Sequence, residues 1–200
     1  MPKIVDAEQY RRVLLNHCFY LFAERGYANV TTRQIAEALG VSTGTLYHYF
    51  ANKKDLFAQL VEEIARKDVW GLQQQIDRDK TLSERLAAFG QILVQNAEYL
   101  IAAEAIWLDF YQHCDVGEAQ NALILQRVAE QYQQAIANLL GIDDLKVARF
   151  IRTAIEGILC EQLPTRNLEL FAEQVDFLMA MLTAYFEKQA IASLETGAIA

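Results

Sequence analysis

The stretch Val30–Lys53, VTTRQIAEALGVSTGTLYHYFANK, leaves few folds open to the chain around it. It predicts two short helices joined by a tight turn. Thr31 or Thr32 offers an N-cap hydroxyl, and Thr31 with Gln34 has capping-box spacing, in which each side chain satisfies a free amide of the first turn. Ile35, Ala36 and Leu39 then fall on one face at helical spacing. Gly40 stands where a chain leaving a helix must take a positive φ. Val41 is an apolar plug for the inside of the turn. Ser42 caps a second helix, Thr43–Tyr49, whose apolar side is mainly Leu46 and Phe50. Two short helices around a Gly-containing turn make a helix-turn-helix, and neither can bury its apolar side without a third helix against it.

In a helix-turn-helix, the start of the second helix enters the major groove of DNA. Thr43, Gly44 and Thr45 are small and stand at that start, so the backbone can approach closely. Tyr47, His48 and Tyr49 are large, with polar tips that reach phosphates or base edges. The plainer alternative makes two of these three residues core aromatics and the third a solvated histidine.

A net charge of −8 argues at first against a nucleic-acid partner, so its distribution matters more than its total. Through Lys67 there are nine basic and seven acidic residues; from Asp68 onward there are nine and nineteen. The helix-turn-helix part is therefore mildly basic, and DNA would repel the remainder. Ordinary solvated surfaces also produce such a difference. A hydrophobic content of 53% over 200 residues supports a large core in one large or two small domains. No apolar run reaches the ~20 residues that span a bilayer, and no secretion signal is evident. Cys18, Cys114 and Cys160 are odd in number and widely spaced, which fits reduced thiols in a cytoplasmic protein.

Along the chain, residues 1–8 are expected to be a frayed lead-in with Lys3 within reach of a phosphate. A helix follows over Tyr10–Arg25, with Val13, Leu14, His17, Cys18, Leu21 and Phe22 on its apolar face and Gly26 at its end. Asn52 caps a long helix that begins at Lys53 and runs to about Ile76, with Leu56, Phe57, Leu60, Val61 and Ile64 inward and Gly71 as a point of weakness. Its ~24 residues span roughly 36 Å, enough to link a head to a separate body. After a polar break at 77–80, the box Thr81–Glu84 opens a helix to about Leu100. A shorter aromatic helix covers Glu104–Cys114, and 115–117 break it. Glu118–Leu140, with Leu123, Val128, Tyr132, Ile136 and Leu139 inward, ends at Gly141. Asp143 or Asp144 caps Leu145–Leu163, which Pro164 stops. Asn167 caps the last helix, to about Gln189, and 191–200 form a loose tail. Nothing alternates with period two. The last two helices are apolar over a wide arc, and Leu168, Leu170 and Phe177 extend the stripe of the final one beyond a single face. They meet either a second copy of the chain or the interior of a monomer core.

The segment LFAERGYANVTTRQIAEALGVSTGTLYHYFANKKDLF resembles the tetracycline-repressor (TetR) family of bacterial transcription regulators. The resemblance lies in the Phe-plus-Gly end of the first helix, T-x-x-I-A, the L-G-V-S turn, G-T-L-Y-x-Y-F and N-K-x-x-L-F, and it covers the opening ~60 residues. EAIWLDFYQHC and IEGILCEQL are similar to its choline-responsive branch. The resemblance implies an all-α fold of about nine helices. A helix-turn-helix DNA-binding domain would occupy 8–68, with the motif at about 31–50, and an effector-binding and dimerisation domain 69–200. It also implies a homodimer through the last two long helices and a repressor released from its operator by a small molecule. By position, Thr32 and Arg33 meet the DNA from the second helix, and Thr43, Gly44, Thr45, Tyr47 and His48 from the third. Tyr49 and Lys53 are placed at phosphates, Leu46 and Phe50 in the core. Arg33 is a candidate for bidentate guanine reading, or equally for a phosphate contact or a surface ion pair.

Other chemistry finds little support. His17–Cys18 and His113–Cys114 juxtapose base and thiol in sequence, but helical neighbours point about 100° apart. The histidines and cysteines show no zinc-ligand spacing, so no enzyme, metal or cofactor is expected. Trp70, Tyr99, Trp107, Phe110, Tyr111, His113 and Cys114 are candidates for an effector pocket, although aromatics at this spacing also suit a plain core. Glu104, Asp109 and Glu156 are candidates to attract a cationic effector. The alternative to a ligand-released repressor is an effector-independent DNA-binding factor, structural or coupled to division.

Overall fold

The structure, a computed structural model, describes residues 6–113 and 119–197, and for 119–120 and 192–197 the backbone alone. The described residues form nine helices and no strand, so the fold is all-α. In order they are α1 (Ala7–Arg25), α2 (Thr32–Ala38), α3 (Thr43–Tyr49), α4 (Lys53–Gln75), α5 (Leu82–Gln95), α6 (Ala97–His113), α7 (Ala119–Leu140), α8 (Leu145–Gln162) and α9 (Leu168–Gly197).

Local chemistry sets most of these boundaries. Thr31 and Gln34 form the expected capping box on α2, and Thr81 and Glu84 form the one on α5. The Asp55 amide donates to Asn52 Oδ1 at 2.8 Å at the start of α4, and the Leu170 amide donates to Asn167 Oδ1 at 3.1 Å at the start of α9. Gly40 has φ 65°, with its N–H bonded to Glu37 O and the Val41 N–H to Ala36 O. This pair of bonds closes a left-handed helix end, which a β-carbon would strain. Gly141 ends α7 similarly, with φ 65° and the Ile142 N–H bonded to Ala137 O.

Several expectations need correction. Asp6 caps α1 through the Glu8 amide, so the helix begins at Ala7, ahead of Tyr10. Its buried face is Leu14, Leu15, Cys18, Phe19 and Phe22, whereas Val13 and His17 are exposed. The expected face was turned by about one residue, because a run with so many apolar positions fits more than one helical stripe. The helix opened by Thr81 stops at Gln95. Asn96 leaves helical geometry with its side-chain amide donated back to Ile92 O, and α6 starts at Ala97, so no break falls between Leu100 and Glu104. On α7, Ile124 is buried and Leu123 exposed. The tail expected from Ile191 continues α9 to Gly197, consistent with a stretch of Ala, Ser, Leu and Glu that lacks a helix breaker. Lys3, Cys114 and the break at 115–117 lie outside the described residues.

The chain divides into two compact units, 1–70 with 102–132, and 71–101 with 133–200. Segment 102–132 is thus in the same compact unit as 1–70, which a single division near 68 does not describe. In the first unit α1, α2, α3 and the first part of α4 enclose Phe22, Ile35, Leu46, Phe50 and Phe57. Polar clips fasten α4 to α7. Arg127 donates to Glu62 at 2.6 Å and the Tyr132 hydroxyl to Asp68 at 2.6 Å. In the second unit Leu86, Phe89 and Leu93 of α5 share a core with Ile151, Ile155, Phe171, Val175 and Leu178 of α8 and α9. Gly90 lets α5 approach α9 closely, since a Cβ there would lie 2.8 Å from Met179 Cγ. No helix among the described residues is long and apolar enough to cross a membrane.

Candidate nucleic-acid interface

The α2–turn–α3 unit is built from the inside outward. Ile35, Ala36, Leu46 and Phe50 are buried, which fixes the opposite face of both helices toward solvent. Ser42 caps α3 by accepting the Thr45 amide at 2.9 Å, and its hydroxyl meets Thr45 Oγ1 at 2.8 Å. Thr43, Gly44, Tyr47 and His48 are exposed, Tyr47 by 54%. Their spacing places them on one side of the helix. An added Cβ on Gly44 would meet only Ser42 Oγ, at 3.6 Å, so packing inside the protein does not demand a glycine there. Thr32 is half-buried in the first turn of α2, and Arg33 beside it is exposed. Tyr49 is half-buried, its ring centroid 5.4 Å from that of Tyr10 on α1 and 5.0 Å from that of His48. The ring is thus part of the joint between α1 and α3.

Lys53 differs most from its expected place at a phosphate. Its ammonium donates to Tyr27 O and Val30 O, both at 2.8 Å, and lies 4.0 Å from the centre of the Tyr27 ring. The lysine thus fastens the loop between α1 and α2 to the start of α4. Partial burial pulls its pKa down, and the Asp109 carboxylate opposes that shift. In α1, burial pushes the Cys18 thiol up to about 12, so it stays protonated at neutral pH.

The residues expected in an effector pocket are placed unequally. Phe110 is fully buried, its ring centroid 5.8 Å from that of Phe57 in the head core. His113 lies 5.6 Å from the Tyr27 ring. Trp107 is half-buried, and Trp70 and Tyr111 are exposed. Tyr99 is half-buried and belongs to the second unit, whereas the exposed Trp70 belongs to the first. Among the suggested cation attractors, Glu104 is buried, Glu156 pairs with Arg152, and Asp109 accepts from the Tyr27 amide and pairs with His113 at 2.8 Å. No group of three or more His, Cys, Asp or Glu among the described residues is placed to hold a metal ion. Sequence reasoning missed Tyr27 as the hub of these contacts. The only local signal was an aromatic residue just after the α1 stop glycine.

Fold and site together define an all-α protein with a helix-turn-helix head. The model for bacterial regulatory proteins of the tetR family matches residues 15–60. The regulator BetI of Brucella anthropi is 32% identical over 124 residues, 62% of this chain and 64% of the relative. BetI of Brucella canis is 33% identical over 113 residues, 56% and 57% of the two chains. The aligned region therefore covers less than two thirds of either relative. BetI of Agrobacterium fabrum is 25% identical over 79% of each chain. Among solved structures, a transcriptional regulator from Rhodococcus sp. Rha1 has a TM-score of 0.70 at 20% identity, covering 88% of this chain and 95% of that one. FadR of Bacillus subtilis, in complex with stearoyl-CoA, has a TM-score of 0.64 at 18% identity, covering 86% and 97%. The likeness to the tetR family is anchored in the head, residues 15–60.

Proposed function

We propose that this chain is a transcriptional repressor that binds operator DNA as a homodimer and is released by a small molecule. The observation that carries the reading is the exposed polar face of α3 on a fully capped helix-turn-helix. Residues 8–68 form the DNA-binding head in this reading, and 69–200 hold the effector and the dimer contact. Thr32, Arg33, Thr43, Gly44, Thr45, Tyr47 and His48 face the operator, and Tyr49 supports them through Tyr10. Lys53 acts mainly by holding the loop before α2. Large apolar side chains left uncovered on α8 and α9 support dimerisation, with Phe150 64% and Phe177 67% exposed. That FadR, a structural neighbour, forms a complex with stearoyl-CoA supports a small-molecule effector for this chain. No catalytic role is proposed. A regulator of this kind works in the cytoplasm.

Selection of duplexes bound by the full-length chain from a random pool tests the reading. One enriched sequence with two related half-sites is expected, their centres ~34–36 Å or a multiple apart. A compound screen against that duplex then seeks release. Failure to enrich any sequence would refute operator binding, and undiminished binding by an Arg33→Ala, Tyr47→Ala double variant would refute the assigned face.

A further inference from the structure

The backbone of Tyr27 is gripped on both sides of its Cα. Its carbonyl accepts from the Lys53 ammonium at 2.8 Å, and its N–H donates to the Asp109 carboxylate on α6. Its ring lies against Phe57, with centroids 4.7 Å apart, and against His113 at 5.6 Å. Gly26, with φ 74°, brings the chain into this grip, and a Cβ there would lie 3.6 Å from Asp109 Oδ2. Four residues after Tyr27, Thr31 caps α2. The loop that sets where α2 begins is therefore tied to α4 by a cation and to α6 by an anion.

We propose that Asp109 is a positioning residue for operator binding: its carboxylate holds the Tyr27 N–H and so fixes the entry of α2 and, through the turn, the reading face of α3. The proposal rests on the DNA-binding reading above. An acidic side chain in the apolar run IWLDF would ordinarily face water. Here the Asp109 side chain is only 16% exposed, and its oxygens are held by a backbone amide and by the Nδ1 of His113, one helical turn along. A carboxylate bound to a backbone N–H makes one of the stronger kinds of protein hydrogen bond. Its loss frees the Tyr27 backbone on one side while Lys53 still pulls on the other.

The test compares the full-length wild type with Asp109→Ala and Asp109→Asn. Asparagine keeps an oxygen that accepts the Tyr27 N–H; alanine does not. Three quantities are measured: hydrogen exchange at the Tyr27 amide without DNA, helical content, and affinity for the selected operator. The Tyr27 amide is expected to be protected in the wild type and in Asp109→Asn, and to exchange faster in Asp109→Ala. Operator affinity should fall about tenfold in Asp109→Ala and be largely restored in Asp109→Asn, with helical content unchanged. A structural role remote from DNA would leave operator affinity within about twofold once the variants are folded, and that result overturns the proposal. Equal loss in the Asn and Ala variants also overturns it. If Asp109→Ala does not fold, the wild type and Asp109→Asn decide: an unprotected Tyr27 amide in either one is fatal. Absence of any operator for the wild type is a separate failure, of the DNA-binding reading, because amide exchange is measured without DNA.

Discussion

Replacing Lys53 with methionine separates two roles that one ammonium could play. Methionine keeps the stem beside the Tyr27 ring and removes the charge and its donors. The Tyr27 and Val30 carbonyls each lose a charged donor at 2.8 Å. Removing a hydrogen bond to a charged group costs about 1.5–3 kcal/mol where water cannot replace it, and the half-buried site lets water recover part, so about 1–3 kcal/mol in all is expected. In a chain of this length that corresponds to a fall in Tm of about 2–12 °C. Operator affinity should fall as well, because the start of α2 is less well held. The slope of log K against log salt, however, should stay within about half a unit of the wild type, since one lost phosphate contact would make it shallower by about 0.9. The assays are thermal unfolding by circular dichroism and fluorescence anisotropy on the selected operator at several salt concentrations. A slope shallower by about one with an unchanged Tm would show Lys53 on a phosphate, and the loop-fastening account would be refuted.

Arg33→Ala and Tyr47→Ala should each alter which duplexes are selected, with a loss at the contacted base pair of about 1–3 kcal/mol, as measured by repeated selection with the variants. A Phe177→Glu substitution places a charge on the uncovered face of α9 and should shift the protein from dimer to monomer in sedimentation, with operator affinity falling alongside; a persistent dimer at micromolar concentration would move the interface elsewhere. The Cys18 thiol is pushed from an ordinary value of 9.0 to about 12 in the folded head, so ionisation favours the unfolded chain above pH 9. Its stabilising effect is complete below pH 9 and is lost progressively toward pH 12, at up to about 1.4 kcal/mol per pH unit. Urea unfolding of Cys18→Val should lack that part of the alkaline loss, and identical alkaline profiles for the two proteins would contradict the thiol's burial.

The parts of this fold legible in the sequence are those governed by neighbours in the chain. Thr31 with Gln34 and Thr81 with Glu84 announce helix starts because both halves of each box lie within one turn. Gly40 and Gly141 announce ends because the required backbone conformation excludes most other residues. Spacing put Leu46 and Phe50 on the apolar side of α3, and both are buried. The stripe of α1 was misplaced because Leu14, Leu15, Phe19, Leu21 and Phe22 satisfy several faces, and only the packed neighbours choose among them. Asn96 was missed as a helix end since asparagine also occurs inside helices. The Lys53 and Asp109 contacts with Tyr27 could not be seen at all. They join residues 26 and 82 positions apart, and no local pattern encodes such a meeting.

The buried thiol of α1 also makes the head its own clock. A protonated sulfur sealed among Leu14, Phe22 and their neighbours reacts with an alkylating reagent only while the head is open, so the labelling rate of Cys18 measures how often the three-helix unit breathes. Cys160 is partly accessible in the other compact unit and provides an internal comparison in the same molecule. The time between openings, followed with and without a bound duplex, would show whether the reading head waits rigid or is gathered into shape by the DNA it meets.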